Sequence, residues 1–363
     1  MVFVIWSYLS GLTTTVSIPP YEETYSAPSH LIGEIKRIDG ALYESLYQER
    51  IPEKNILFLG VKPRHVGMTD WEFTEVLVRL PAKSSMRHLW RTLEAALNPL
   101  RPEVSHRVER GSDQELAVHI FALGSYTHKI RLNCEPDHVV SYGEPPKVAI
   151  IIDDLGPERE IAEAFIRLDI PLSISVLPLT PYSRLIARKA GKKGRELLLH
   201  LPMEPKDYPE VNPGPGVLLA VMEDDQIRKV LDENLRSVPG VRGVNNHMGS
   251  RFTEREEKMA VLLGELKRRN LFYVDSRTTR ETVAFDVAKR VGVPTVRRGV
   301  FLDNDLSPRA MTFQIERLLG MARHSGSAVG IGHPHEETLM LLKKFLPKLK
   351  NEVRVVPVSD LVS

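Results

Sequence analysis

Apolar and polar positions follow two different rhythms along this chain, and the rhythm changes near Lys147. In the first part, Ile35, Ile38, Leu42, Leu46 and Tyr47 fall at the three-and-four spacing of a helix face, as do the apolar residues of 86–97. Residues 71–80 alternate instead, which predicts a strand with one buried face, and 104–108, 115–123 and 127–132 predict three more. These elements make a small α+β domain over 34–133. Its histidines (His65, His88, His106, His119 and His128) are scattered rather than clustered, so it reads as a binding or positioning module. Residues 134–146 carry the Pro, Gly and Asp of a linker.

From Lys147 onward short apolar runs alternate with helical patterns. Val148–Ile152 is continuously apolar, the mark of a strand buried on both faces. Ile161, Ala162, Phe165, Ile166 and Leu168 then mark a helix. Strand-like segments follow at 172–177, 196–199, 241–244, 271–274, 293–296, 328–331 and 354–358, with helical patterns at 182–190, 224–237, 254–269 and 308–322. This alternation predicts the α/β class with a mostly parallel sheet. The number of units suggests a compact (β/α) barrel of about seven strands, although periodicity alone leaves a doubly wound open sheet in play.

Residues able to do chemistry collect where these strands end. The first ends in Asp153-Asp154, and later ones in His200 with Glu204, Asn245-Asn246-His247, Asp275 with Arg277, Asp303 with Asp305, and His333 with His335. In (β/α) barrels the C-terminal strand ends form the functional face, so these groups should share one rim. One Asp there would pass as a helix cap; two point to a site. Neighbouring residues on a strand face opposite sides, so the two can act together only where the backbone turns, and Gly156-Pro157 is the expected turn. Carboxylate with imidazole suits a catalytic divalent ion such as Zn²⁺ held by three protein ligands. A further carboxylate can serve as general base and a histidine as proton donor, which is a hydrolase constellation. No G-x-S-x-G elbow, P-loop or G-x-G-x-x-G fingerprint is present.

Composition narrows this little. The 363 residues suffice for two domains, and a formal net charge of +2 gives no warrant for nucleic-acid binding. The single Cys134 excludes an intramolecular disulfide and a Cys-rich zinc site. The first twelve residues are almost wholly apolar, too short for the roughly 20 residues that span a bilayer. With the Pro-containing stretch after them they are expected to form an export or anchor segment and linker over 1–33, which implies a periplasmic or cell-envelope location.

The strand-end motifs together carry a resemblance. Residues 147–363, with IIIDDLG (150–156), LLLHLPMEP (197–205), NNHMGS (245–250), FYVDSRT (272–278) and GIGHPH (330–335), resemble the divergent polysaccharide deacetylase family, a branch of the carbohydrate esterase superfamily of metal-dependent deacetylases. The resemblance implies a distorted (β/α) barrel, a polysaccharide substrate and removal of an N- or O-acetyl group. It makes Asp153 the base, Asp154 a metal ligand and His333 the general acid, with His335 in support. The superfamily's second motif, H-x-x-x-H, keeps His200 but has Glu204 where a second His is usual. His247 offers a replacement imidazole, so the expected ligands are Asp154, His200 and His247, with Glu204 as a fourth candidate. Asp275 is expected to orient a neighbour or a substrate hydroxyl. Arg277 is expected to meet an anionic group, and Asn246, Asp303 and His335 to complete the substrate contacts. The Pro-rich stretch 202–215 is expected to wall the groove.

Two other readings use the same residues. The barrel could bind glycan without turning it over, with the first domain engaging a cell-envelope protein partner; the altered second motif favours this, the presence of Asp153 and His333 opposes it. A glycoside hydrolase would need two carboxyls flanking a sugar bond, which the His-rich rim fits less well.

Overall fold

The computed structural model describes residues 30–52, 55–66, 69–111, 114–134 and 144–363. The expected export segment, save residues 30–33, and most of the expected linker 134–146 lie outside the described residues. Residues 30–33 are not linker: they open the first helix.

The first sheet is built from α1 (His30–Gln48), β1 (Ile56–Val66), β2 (Thr69–Arg79), α2 (Lys83–Leu97), β3 (Val104–Arg110), β4 (Glu115–Ala122) and β5 (Ser125–Asn133). Its order is β1-β2-β5-β4-β3, with β2 and β5 parallel and the other pairs antiparallel. Both helices cover one face: Ile38, Leu42, Leu89 and Leu93 pack on Val76, Val78, Val118, Ile120 and Ile130. The alternation of the strands supplies that apolar face. β1 escaped the sequence reading because Gly60 and Pro63 interrupt its pattern. It lies at the sheet edge, where a proline is tolerated, and its register with β2 shifts between Phe58 and Gly60.

The second sheet comprises β6 (Lys147–Leu155), α3 (Arg159–Arg167), β7 (Ser173–Val176), α4 (Ser183–Lys192), β8 (Glu196–Met203), α5 (Asp224–Ser237), β9 (Gly243–Met248), α6 (Glu256–Arg268), β10 (Phe272–Asp275), α7 (Ala284–Val291), β11 (Thr295–Arg297), β12 (Val300–Phe301), α8 (Pro308–Ser325), β13 (Ser327–Gly332), α9 (Glu336–Glu352) and β14 (Arg354–Val355). Eight parallel strands run in the order β11-β10-β9-β8-β7-β6-β13-β12, and β14 pairs with the start of β6. This is a curled half-barrel of one strand more than expected. β11 and β12 are consecutive in the chain yet unpaired, which leaves a seam. Buried Arg298 crosses it, donating to the carbonyls of Ser276 (2.7 Å) and Arg277 (3.1 Å). The expected strand 354–358 is shorter: Val358–Asp360 is a 3-10 turn.

Alternation sorts the strand side chains into two layers. Val148, Ile150 and Ile152 meet the helices, whereas Ala149, Ile151, Leu198, Val274, Val329 and Ile331 fill the inside with Val358 from the C-terminal turn. That turn is tied down where Val358 N–H donates to Ser173 Oγ (3.0 Å) and Ser359 N–H to Glu196 Oε2 (3.2 Å). Inside, the Phe272 ring lies over Gly243, where a Cβ would come within 2.2 Å of it. Gly243→Ala should therefore cost about 1–3 kcal/mol by overpacking, read as a lower midpoint in denaturant unfolding. Among the described residues no helix is long and apolar enough to cross a membrane.

Candidate metal centre

The side chains of interest sit inside strands rather than on loops, which fixes their directions. On β6, alternation sends Asp153 to the same side as Ala149 and Ile151, the barrel interior. Asp154 should then face the helices. It does not, because its backbone is left-handed (φ +53°) and the β6–β7 register shifts between Ile152 and Leu155. The turn that lets both acids serve one site is at Asp154 itself, not at Gly156-Pro157 as expected. Left-handed residues also follow β7 (Leu179) and β10 (Arg277) and end β9 (Met248). Such strain in non-glycine residues gathers at functional sites.

His200 on β8 shares the interior parity of Leu198, and His247 on β9 comes beside it. Asp154 Oδ1 lies 2.9 Å from His200 Nε2 and 2.9 Å from His247 Nδ1, and the two ring nitrogens are 3.2 Å apart. All three residues are buried. Neither oxygen of Asp154 receives a hydrogen bond despite this closeness. A buried carboxylate without a donor is costly, so lone pairs converging on one point call for a cation. Donors bonded to one ion at about 2.0–2.2 Å would be separated by about 3 Å, which these distances match. The residues therefore fit a divalent metal. Burial by itself would raise the Asp154 carboxyl, but the charges and contacts of His247 and His200 outweigh it and hold it far below the usual carboxylate range. Burial disfavours charge on His200, and Asp153 and Asp154 reverse this, so its pKa is raised.

Asp153 stands behind this triangle. Its Oδ1 is 3.7 Å from His200 Nδ1, the ring nitrogen turned away from the centre. Asn245 Nδ2 donates to both its oxygens at 2.9 Å, and Ser175 Oγ fixes the amide by donating to Asn245 Oδ1 at 2.6 Å. At 3.7 Å Asp153 is a charge beside the His200 ring and not a hydrogen-bond partner of it. Asn245, named above only as a strand-end residue, had no role expected of it, although two-residue periodicity places it on the face of His247. Asn245→Leu should leave the Asp153 carboxylate buried without its donor and cost about 1–3 kcal/mol, measurable by denaturant unfolding.

Just past the end of β13, the neighbour of β6, His333 Nδ1 meets Asp303 Oδ1 at 2.8 Å, and the His333 backbone N–H donates to Asp303 Oδ2 at 2.6 Å. Thr338 Oγ1 donates to the same oxygen at 2.6 Å. Burial would raise the Asp303 carboxyl, but His333 and Thr338 bring it below the ordinary value. Expected at the substrate, Asp303 instead spends both oxygens holding His333. His335 begins α9, its ring 6.4 Å from that of His333.

Other expected residues lie apart from the ligand triangle. Glu204 Oε2 accepts from Ala220 N–H (2.6 Å) and its Oε1 is 3.4 Å from Arg251 Nη1, so this carboxylate ties down the loop after β8 and is not a member of the metal-ligand group. Asn246 faces outward. It donates to the Met248 carbonyl and Thr278 Oγ1 and accepts from Tyr273 OH and Ser276 N–H, which uses its whole hydrogen-bonding capacity internally. Asp275 is buried and accepts from Arg277 N–H at 2.9 Å; burial raises its pKa against the pull of that bond and of Arg297, Arg277 and Arg298. Arg277 lines a seam cavity of about 220 Å³ with Arg297, Arg298 and Leu361.

The sequence model of the divergent polysaccharide deacetylase family matches residues 150–362. The chain belongs to this family. It is 34% identical over 217 residues to the uncharacterized protein YibQ of Escherichia coli, covering 60% of this chain and 67% of that one. An uncharacterized protein of Haemophilus influenzae is 33% identical over 215 residues, 59% of this chain and 76% of that one. The crystal structure of the uncharacterized protein ATU2773 of Agrobacterium tumefaciens superposes with a TM-score of 0.58 at 25% identity, covering 60% of this chain and 90% of that one. All three alignments leave about 40% of this chain uncovered, and the family match begins beyond the first sheet.

Proposed function

We propose that this divergent polysaccharide deacetylase is a metal-dependent hydrolase that removes acetyl groups from an envelope polysaccharide of the peptidoglycan type. The observation that carries the reading is the undonated Asp154 carboxylate between two imidazoles. A divalent ion held by Asp154, His200 and His247, zinc in this proposal, would polarise the scissile carbonyl and acidify a water. Asp153, held as an acceptor by Asn245, is the group that takes a proton in this reading. Asp303 occupies His333 Nδ1, which leaves Nε2 as the nitrogen that passes a proton to the departing amine or alkoxide. The apolar N-terminal residues support export to the envelope, where such a glycan would be met.

A glycan-binding role without turnover has one observation in its favour, the diversion of Glu204 from the metal to the loop after β8. Elemental analysis of the full chain, followed by acetate release from N-acetylglucosamine oligomers, separates the two. Stoichiometric metal with acetate release is expected. Metal-free protein under zinc supply, or metal-loaded protein inert on every acetylated glycan offered, would overturn the hydrolase. Asp153→Ala should retain metal and lose acetate release by about 10²–10⁴-fold; equal metal loss would instead make Asp153 a ligand.

A further inference from the structure

The first sheet and its helices, which the family match does not reach, are joined to the arm that holds His333. Phe313 of α8 is buried in the core of the first domain, edge-on to Phe58 (5.6 Å between centroids) and to Tyr43 (6.2 Å). One face of α8 is a glycine there: a Cβ on Gly320 would stand 2.7 Å from the Phe58 ring and 3.4 Å from its backbone N. Just before α8, Asp305 Oδ2 is 3.4 Å from Lys36 Nζ on α1, and Arg309 pairs with Glu44 of the same helix. The segment so held begins two residues after Asp303, whose oxygens grip the His333 backbone and ring.

We infer that the N-terminal domain is a positioning element for His333: by seating Phe313 and gripping 305–309 it sets the Asp303 carboxylate, and Phe58 and Phe313 are positioning residues. The metal ligands are carried on β6, β8 and β9, whereas among the described residues the aromatic and ionic contacts given above fall on 305–320. The coupling is therefore to be read at the proton-donor arm. A side-chain volume in place of Gly320 pries the domain off, and an alanine at 313 empties its socket.

The coupling is read without turnover by amide exchange; its zinc arm rests on the proposed metal site and its kinetic arm on the deacetylase reading. In full-length Phe313→Ala and Gly320→Val, amide exchange of 302–309 and of the His333 peptide should quicken about tenfold or more, with zinc content equal to that of the unaltered chain. Phe313→Leu should return exchange to near its original rate. On an acetylated glycan, kcat should fall about tenfold with KM within about twofold, as for a misplaced proton donor. Unchanged exchange at His333 in both variants, while the N-terminal domain itself exchanges faster, would overturn the inference. Where zinc is lost in step with arm opening, which marks general unfolding of the barrel, the milder pair Lys36→Glu with Arg309→Glu decides: arm opening at full zinc content supports the inference, and an unopened arm overturns it. Opening of the arm without any acetate release from the unaltered protein would leave the coupling standing and remove the hydrolase reading instead.

Discussion

Asp154→Ala should leave the protein folded but unable to retain a divalent ion through gel filtration. Removing an outer partner of a metal ligand typically costs about 10–100-fold in affinity, and removing the carboxylate that both imidazoles face should cost more than that. Without Asp154 the His200 ring loses one of the two carboxylates, with Asp153, that raise its pKa against burial. Zinc titration by calorimetry measures the loss. Retention of one equivalent with unaltered affinity would show that the ion is held elsewhere. The substitution also relieves the left-handed backbone at position 154 only if the loop after β6 rearranges, so glycine there is the better control. Asp154→Gly should lose metal equally while keeping that backbone conformation at no steric cost.

His333→Gln should keep its metal and lose acetate release by about 10²–10⁴-fold, the usual worth of a positioned proton donor. Glutamine preserves much of the volume and can still meet Asp303. The loss should therefore fall on kcat, with KM little changed. Substrates whose leaving group needs no proton separate the roles: an activated aryl acetate should be cleaved by His333→Gln at a rate near that of the unaltered protein. A comparable loss on both substrates would move His333 from proton transfer to structure. Asp303→Asn supplies the companion measurement, since it weakens the hold on Nδ1 without touching the ring.

Much of the barrel was legible because strands buried on both faces read as apolar runs, as in Val148–Ile152. β1 was not, since its edge position permits a glycine and a proline that break the pattern. The seam between β11 and β12 was equally hidden: whether two strands pair depends on partners remote in the chain. Among site residues, Asp154, His200 and His247 were legible as types placed at strand ends. The turn at Asp154 was not, because aspartate carries no conformational mark of the kind glycine does. Asn245 and Asn246 show what period two could have added, since only Asn245 shares the face of His247. Glu204 was misplaced because spacing from His200 was counted along the motif. β8 ends at Met203, so the next residue leaves the strand direction altogether.

The pairing of β6 with both β7 and β13 has a consequence for the order of assembly. Lys147, at the start of β6, lies between Ser327 of β13 and Arg354 of β14, and β7 pairs with β6 from Ile151 onward. Asp154, His200 and His247 are all synthesised by the end of β9, so the cation-binding triangle can form on a nascent, half-curled sheet. The Asp303–His333 arm and the α8 contact with the N-terminal domain arrive much later. In folding from the N-terminal end, the triangle would then assemble before the Asp303–His333 arm, and the exposed flank of β6 would be the edge at risk of wrong pairing until β13 closes it.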